Sequence, residues 1–204
     1  MIFNRLIQQT GVINSMHRSL QKSDEKNTKT ILLIVFYFCA TTMSIITFYS
    51  LYVSIDEYLR TGKVVIGEVL VNTEFPFPGF AKLVTYLMIV TVVGWYCVTR
   101  LGGDKVKKIP ESIKSILQLI VLAIMVISLY EFIYNFVIWN SFITVDAING
   151  IIRLDDIHIP YPNPDTPWNL VFATKMSLSA LLISAHGFYT ISKHKTQDNK
   201  LVQN

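Results

Sequence analysis

Four long apolar stretches constrain the fold more than any other feature of this 204-residue sequence. They cover residues 30–54, 80–99, 115–138 and 167–191. Each is close to the length of about 20 helical residues that crosses the hydrocarbon core of a bilayer. A segment inside lipid must satisfy its own backbone hydrogen bonds, and a helix does so. We therefore expect an all-α integral membrane protein built as a bundle of four transmembrane helices.

The composition supports this class. The chain is 51% hydrophobic and 16% charged, and its mean hydropathy of +0.43 is too high for an average soluble domain. Its two cysteines, Cys39 and Cys97, both lie inside apolar stretches. The sequence therefore offers neither a disulfide framework nor a CxxC redox pair, which excludes thiol oxidases that depend on such a pair.

The basic residues predict the orientation of the spans. Five lysines and arginines precede the first span, five surround the second connection, and three follow the last span. By the positive-inside rule, both termini and the middle connection face the cytoplasm. We expect the chain to lie in the plasma membrane. We expect residues 1–29 to form a cytoplasmic segment with the pattern of an amphipathic interfacial helix. Residues 30–192 then form the transmembrane domain, and residues 193–204 form a cytoplasmic tail.

The two outer connections, residues 55–79 and 139–166, are long enough to hold structure of their own. Asn149 and Gly150 lie between two runs rich in β-branched residues, which is typical of a β-hairpin. Residues 63–71 have the composition of a third strand. These patterns predict a small extracytoplasmic β cap of two or three strands. The alternative is that residues 142–148 prolong the third helix.

Two ionisable residues fall inside the apolar spans. Counted from the ends of their spans at 1.5 Å per residue, Glu131 and Lys175 both lie about 7 to 8 Å outward of the membrane centre. A lone charge there costs at least about 2.5 kcal/mol, and such residues usually pair. We predict an intramembrane ion pair between them. The pair either fixes the helix register or takes part in ion or proton passage.

Further polar residues share helical faces with this pair. Ser128 and Asn135 flank Glu131 on the third span, while Ser179 and His186 continue the stripe that begins at Lys175. We expect His186 to hydrogen-bond a tyrosine such as Tyr37 or Tyr96, and the alternative is that it extends a proton path. A second stripe on the fourth span consists of small residues suited to close helix packing, within this chain or against another. These are Ala173, Ser177, Ala180, Ser184 and Gly187.

A weak metal pattern lies outside the spans. In an extended strand Asp156 and His158 point the same way, so a carboxylate and an imidazole could share a metal ion. The alternative is an acidic, solvated loop. We expect no cofactor, and no nucleotide-binding or nucleophile motif occurs. The cytoplasmic lysines lie next to the membrane, where topology and lipid explain them, so we expect no nucleic-acid partner.

Three functions are compatible with these features. The first is a non-catalytic accessory or scaffolding subunit of a larger membrane complex, with the lipid bilayer and another membrane subunit or further copies of itself as partners. The second is a small oligomeric transporter or proton-conducting module that uses Glu131 and Lys175. The third is a membrane enzyme with an external metal at Asp156 and His158.

Overall fold

Helices dominate the computed structural model, which describes residues 2–150 and 168–202. The elements in chain order are α1 (Ile2–Thr61), α2 (Glu68–Asn72), β1 (Glu74–Phe75), β2 (Ala81–Lys82), α3 (Leu83–Lys107), α4 (Glu111–Ile148) and α5 (Leu170–Val202). In this part of the chain, α1, α3, α4 and α5 are long and apolar enough to cross a membrane. The prediction of a mainly helical chain with four helices long and apolar enough to span a membrane is therefore confirmed.

The ends of the helices differ from the ends of the predicted spans. α1 begins at Ile2 and continues without a break through the first span, so the N-terminal segment is helical and belongs to the same 60-residue element. α5 begins at Leu170, three residues later than the predicted span. Its N-cap is Asn169, whose Oδ1 accepts hydrogen bonds from the backbone N–H groups of Val171 (2.9 Å) and Phe172 (3.2 Å). Such a cap satisfies N–H groups that have no partner within the helix.

The four long helices form an open layer instead of a closed bundle. In the described part of the chain, α1 packs on α3, α3 on α5, and α5 on α4, while α1 and α4 share no comparable contact. Burial follows this order. Of the most apolar 18-residue stretch in each helix, 33% is buried in α5 but only 6% in α4. The two outer helices of the layer therefore expose most of their apolar surface.

The small elements gather at one end of the layer, which we call the sheet end. Here β1 and β2 pair antiparallel, with Glu74 opposite Lys82, and α2 packs against α1, α3 and α5. A compact apolar core joins these elements, and Trp139 of α4 packs against it. Its buried members are Ile46, Leu70, Val71, Val84 and Val171.

The predicted β cap is only partly present. Two strands do form in the first outer connection, but they use residues 74–75 and 81–82. The stretch predicted as a third strand instead contributes α2 and an isolated bridge between Ile66 and Trp168. Residues 142–148 are helical, so the first arm of the predicted hairpin is wrong and the alternative of a longer third helix is correct. The second arm lies outside the described residues.

Gly67 allows the close approach of α2 to α5. Its φ of +85° is a left-handed conformation that side chains rarely adopt. A Cβ atom built on Gly67 would collide with Cγ of Phe172. Glycine is therefore required here for both its backbone conformation and its lack of a side chain.

Candidate functional site

Lys175 binds a hydroxyl group on a neighbouring helix. Its Nζ donates a hydrogen bond of 2.7 Å to Oγ1 of Thr85, in the first turn of α3. The side chain therefore reaches from α5 toward α3, near the sheet end of the layer. The positive charge of Lys82 acts on the ammonium group of Lys175. Nζ of Lys82 lies 3.9 Å from Oε1 of Glu74. Among the described residues, no carboxylate forms an ion pair with Lys175.

Glu131 occupies a different side of the layer. It lies on α4, which packs on α5 but not on α3 to any comparable extent. Its side chain is exposed. Within residues 2–150 and 168–202, the structure forms no ion pair between Glu131 and Lys175. Lys175 instead reaches toward α3, where it bonds Thr85.

A hydrogen bond between α4 and α5 explains the different positions of the two charges. Nε2 of Gln118 donates to Oγ of Ser192 over 2.9 Å, which fixes the register of this antiparallel pair. Glu131 is 13 residues from Gln118, whereas Lys175 is 17 residues from Ser192. At 1.5 Å per residue, this bond places Lys175 about 6 Å nearer the sheet end than Glu131, and the close approach of Val121 to Gly187 gives about 3 Å. The two residues therefore differ in depth by about 3 to 6 Å.

Ser128 and Asn135 lie on the face of α4 that packs against α5. Both are buried, with 7% and 3% of their surface exposed. Together with Lys114 and Val121 they recur every seven residues, which is the spacing of a helix pair with coiled-coil packing. Oδ1 of Asn135 and Nε1 of Trp139 are buried without a hydrogen-bond partner among the described residues. The two predicted polar positions are thus interior, while Glu131 between them is not.

His186 contacts one of the tyrosines proposed from the sequence, but through its ring. The ring centroids of His186 and Tyr96 are 5.6 Å apart with the planes tilted by 48°. The hydroxyl of Tyr96 accepts a hydrogen bond from Nε of Arg100 over 3.1 Å. Nδ1 of His186 is buried without a partner in the described part of the chain. The neighbour was predicted correctly, whereas the predicted hydrogen bond is not formed.

The remaining polar and small residues of α5 are wholly or partly buried. Ser179 donates to the carbonyl oxygen of Lys175 over 3.0 Å, within its own helix. Gly187 lies where three helices meet, because a Cβ there would be 3.5 Å from Val121 of α4 and 3.6 Å from Trp95 of α3. Ser184 is buried and bonds back to Ala180. Ala173 and Ser177 are partly buried. At Gly187, therefore, the small-residue stripe makes close contacts inside this chain.

Two polar residues that organise the site were not singled out from the sequence. Thr85 and Gln118 provide the partners that hold Lys175 and Ser192. Thr85 lies in the first turn of α3, where polar residues are common, and Gln118 lies about two turns into α4. The pair Asp156 and His158, predicted as a weak metal site, lies outside the described residues. The described part holds no group of three or more potential ligands suited to a metal ion.

A lateral groove of about 590 Å³ opens between α1, α2 and α5 at the sheet end. Its walls are mainly apolar, with hydroxyl groups from Thr47, Ser50 and Ser54 along α1. A groove of this composition suits an acyl chain or an apolar helix, and it contains no cluster of ionisable groups.

Comparisons with protein-family models, with curated proteins and with solved structures find no match to this chain. The function must therefore be argued from its own residues.

Proposed function

We propose that this protein is a non-catalytic accessory or scaffolding subunit that joins a larger complex in the plasma membrane, with both termini in the cytoplasm. The observation that carries the proposal is the open layer in the order α1, α3, α5, α4. A single layer of helices has two broad faces and cannot enclose a pathway for an ion or a solute by itself. Its natural role is to add helices to a larger assembly.

The outer helix α4 of the layer supports the same role. α4 is the least buried of the four spanning helices, and large side chains such as Ile127 and Tyr130 are more than 60% exposed. Lipid covers apolar surface of this kind without difficulty, but it does not compensate a carboxylate. The exposed Glu131 therefore favours protein over lipid as the neighbour of this helix. The charge distribution of the connections supports the orientation with cytoplasmic termini.

Native mass spectrometry tests the proposal directly. A tagged chain is extracted from its own membrane in a mild detergent, purified through the tag and weighed under native conditions. The proposal expects a complex of fixed stoichiometry that contains at least one different membrane protein. A chain that is recovered only as a monomer or only with copies of itself would refute it.

A further inference from the structure

One side of α4 carries a charged residue that forms no ion pair with the residues that the structure describes. The side consists of Ile127, Tyr130, Glu131 and Tyr134, and we name it the Glu131 face. All four side chains are exposed. The rings of Tyr130 and Tyr134 stack on each other with centroids 6.0 Å apart. The face therefore combines an ordered aromatic pair with a carboxylate, in the middle of the most apolar helix of the molecule.

The position of Glu131 follows from how α4 packs on α5. The inward stripe contains Ser128, Phe132 and Asn135, none of which is exposed. At about 100° per residue, Glu131 is offset by roughly 70° from the middle of that stripe. It therefore lies at the edge of the α4–α5 contact, where a further helix packed against α4 would meet it.

The charge of Glu131 indicates a basic residue on the neighbouring helix. Acidic side chains within membrane segments usually pair with a cation or face an aqueous cavity. Within the described part of the chain, no lysine or arginine forms an ion pair with Glu131. A lysine or arginine on another helix would supply the missing charge and the hydrogen-bond donors that a carboxylate accepts.

A second copy of the chain fits this face poorly. A symmetric contact through the Glu131 face would bring two carboxylates together. An asymmetric contact would need a basic residue at the depth of Glu131. Lys175 is engaged with Thr85 and lies about 3 to 6 Å nearer the sheet end. The charge pattern therefore favours a different protein.

We propose that the Glu131 face binds a transmembrane helix of a different membrane protein, and that this helix carries a lysine or arginine at the depth of Glu131. This inference rests on the proposed function and specifies the surface and the chemistry through which the subunit joins its complex. The carboxylate of Glu131 accepts hydrogen bonds from the basic residue, while Ile127, Tyr130 and Tyr134 pack around the pair.

The test compares variants of the tagged chain in its native membrane. Glu131→Gln removes the charge with little change in shape, and Asp146→Asn is the matched control. Asp146 is exposed on the same helix but lies near its end, outside the Glu131 face. We expect Glu131→Gln to reduce the amount of partner recovered per chain by at least about tenfold, because one charge of a buried pair is left without its counterpart. Asp146→Asn should recover the wild-type amount.

Photo-crosslinking locates the contact. A photoreactive phenylalanine analogue in place of Tyr134 should attach to the partner, whereas the same analogue in place of the exposed Phe48 on α1 should not. Once the partner's basic residue is identified, Glu131→Lys combined with a basic-to-acidic change in the partner should restore the complex. This rescue also shows that the variant chain folds.

The outcomes separate this inference from the proposed function. A wild-type heteromer that Glu131→Gln leaves intact overturns the inference and leaves the proposed function standing. Crosslinks from position 134 to a second copy of the chain also overturn the inference. A wild-type chain that has no different membrane protein bound refutes both. Loss of the partner on Glu131→Gln, with retention on Asp146→Asn, supports both.

Discussion

Lys175 and Glu131 are both ionisable residues within apolar helices, yet they have different surroundings. Lys175 is partly buried and donates a hydrogen bond to Thr85 on the neighbouring α3. Glu131 is exposed on α4 at the edge of the layer. The first residue is accommodated by a polar group of its own chain. The second is placed where another chain can reach it.

Removal of Lys175 and removal of its acceptor should have unequal effects on stability. Thr85→Val keeps the shape but leaves the ammonium group without its acceptor, and we expect a loss of about 1 kcal/mol. Lys175→Met removes the cation altogether and should change the free energy of unfolding by less than about 0.5 kcal/mol. Unfolding with a denaturing detergent in mixed micelles measures both. The double variant should resemble Lys175→Met, and an equal loss in all three variants would contradict this account of Lys175.

At the residue scale, the sequence identified the charged positions but not their partners. The count of residues along each span assumed that both helices are centred alike in the membrane. The hydrogen bond from Gln118 to Ser192 sets a different register. Rotation about the helix axis also matters, because Ser128 and Asn135 face α5 whereas Glu131 does not. Neither register nor rotation is encoded in a single helix, since both arise from contacts between helices.

At the scale of elements, all four spans were predictable because long apolar runs have few alternatives in a membrane protein. The outer connections were harder. Residues 142–148 contain β-branched side chains typical of a strand, yet they continue α4, because an existing helix extends at little further cost. β1 and β2 form in a proline-rich stretch that carried no strand pattern. The short elements depend on the apolar core at the sheet end more than on their own composition.

The contact between Gly67 and Phe172 gives a prediction at this scale. Gly62 and Gly67 both have positive φ, but a Cβ on Gly62 meets no atom within 4 Å, whereas one on Gly67 collides with Phe172. Gly62→Ala should therefore cost only the backbone strain, about 1 to 2 kcal/mol. Gly67→Ala should cost clearly more, because the ring of Phe172 must leave the core around α2. Thermal unfolding in detergent compares the two, and equal losses would show that α2 does not pack on α5 as described.

At the scale of the whole molecule, the open layer was not predictable from sequence. Four amphipathic or apolar helices favour a closed bundle by analogy, and α5 does contact both α3 and α4. What keeps α1 apart from α4 is the order of contacts, with α3 and α5 between them. In lipid, the apolar faces of the outer helices need no protein cover, so the hydrophobic effect that closes a soluble bundle is absent.

Disulfide cross-linking in native membranes tests this layer, on which the proposed function depends. An ideal Cβ at Gly94 lies 3.5 Å from Cβ of Cys39, within the range for a disulfide bond. With Cys97→Ser present, Gly94→Cys should therefore cross-link α1 to α3. In a background with Cys39→Ser and Cys97→Ser, the pair Val121→Cys and Gly187→Cys should cross-link α4 to α5.

The decisive pair joins the two outer helices. The same background carries Phe38→Cys on α1, next to position 39, and Ile120→Cys on α4, next to position 121. Both positions are exposed. The open layer predicts that this pair stays reduced within a single chain under conditions in which the other two pairs oxidise fully. Oxidation of the Phe38 and Ile120 pair within one chain, to the same extent as the others, would mean that the four helices close into a bundle and would contradict the account.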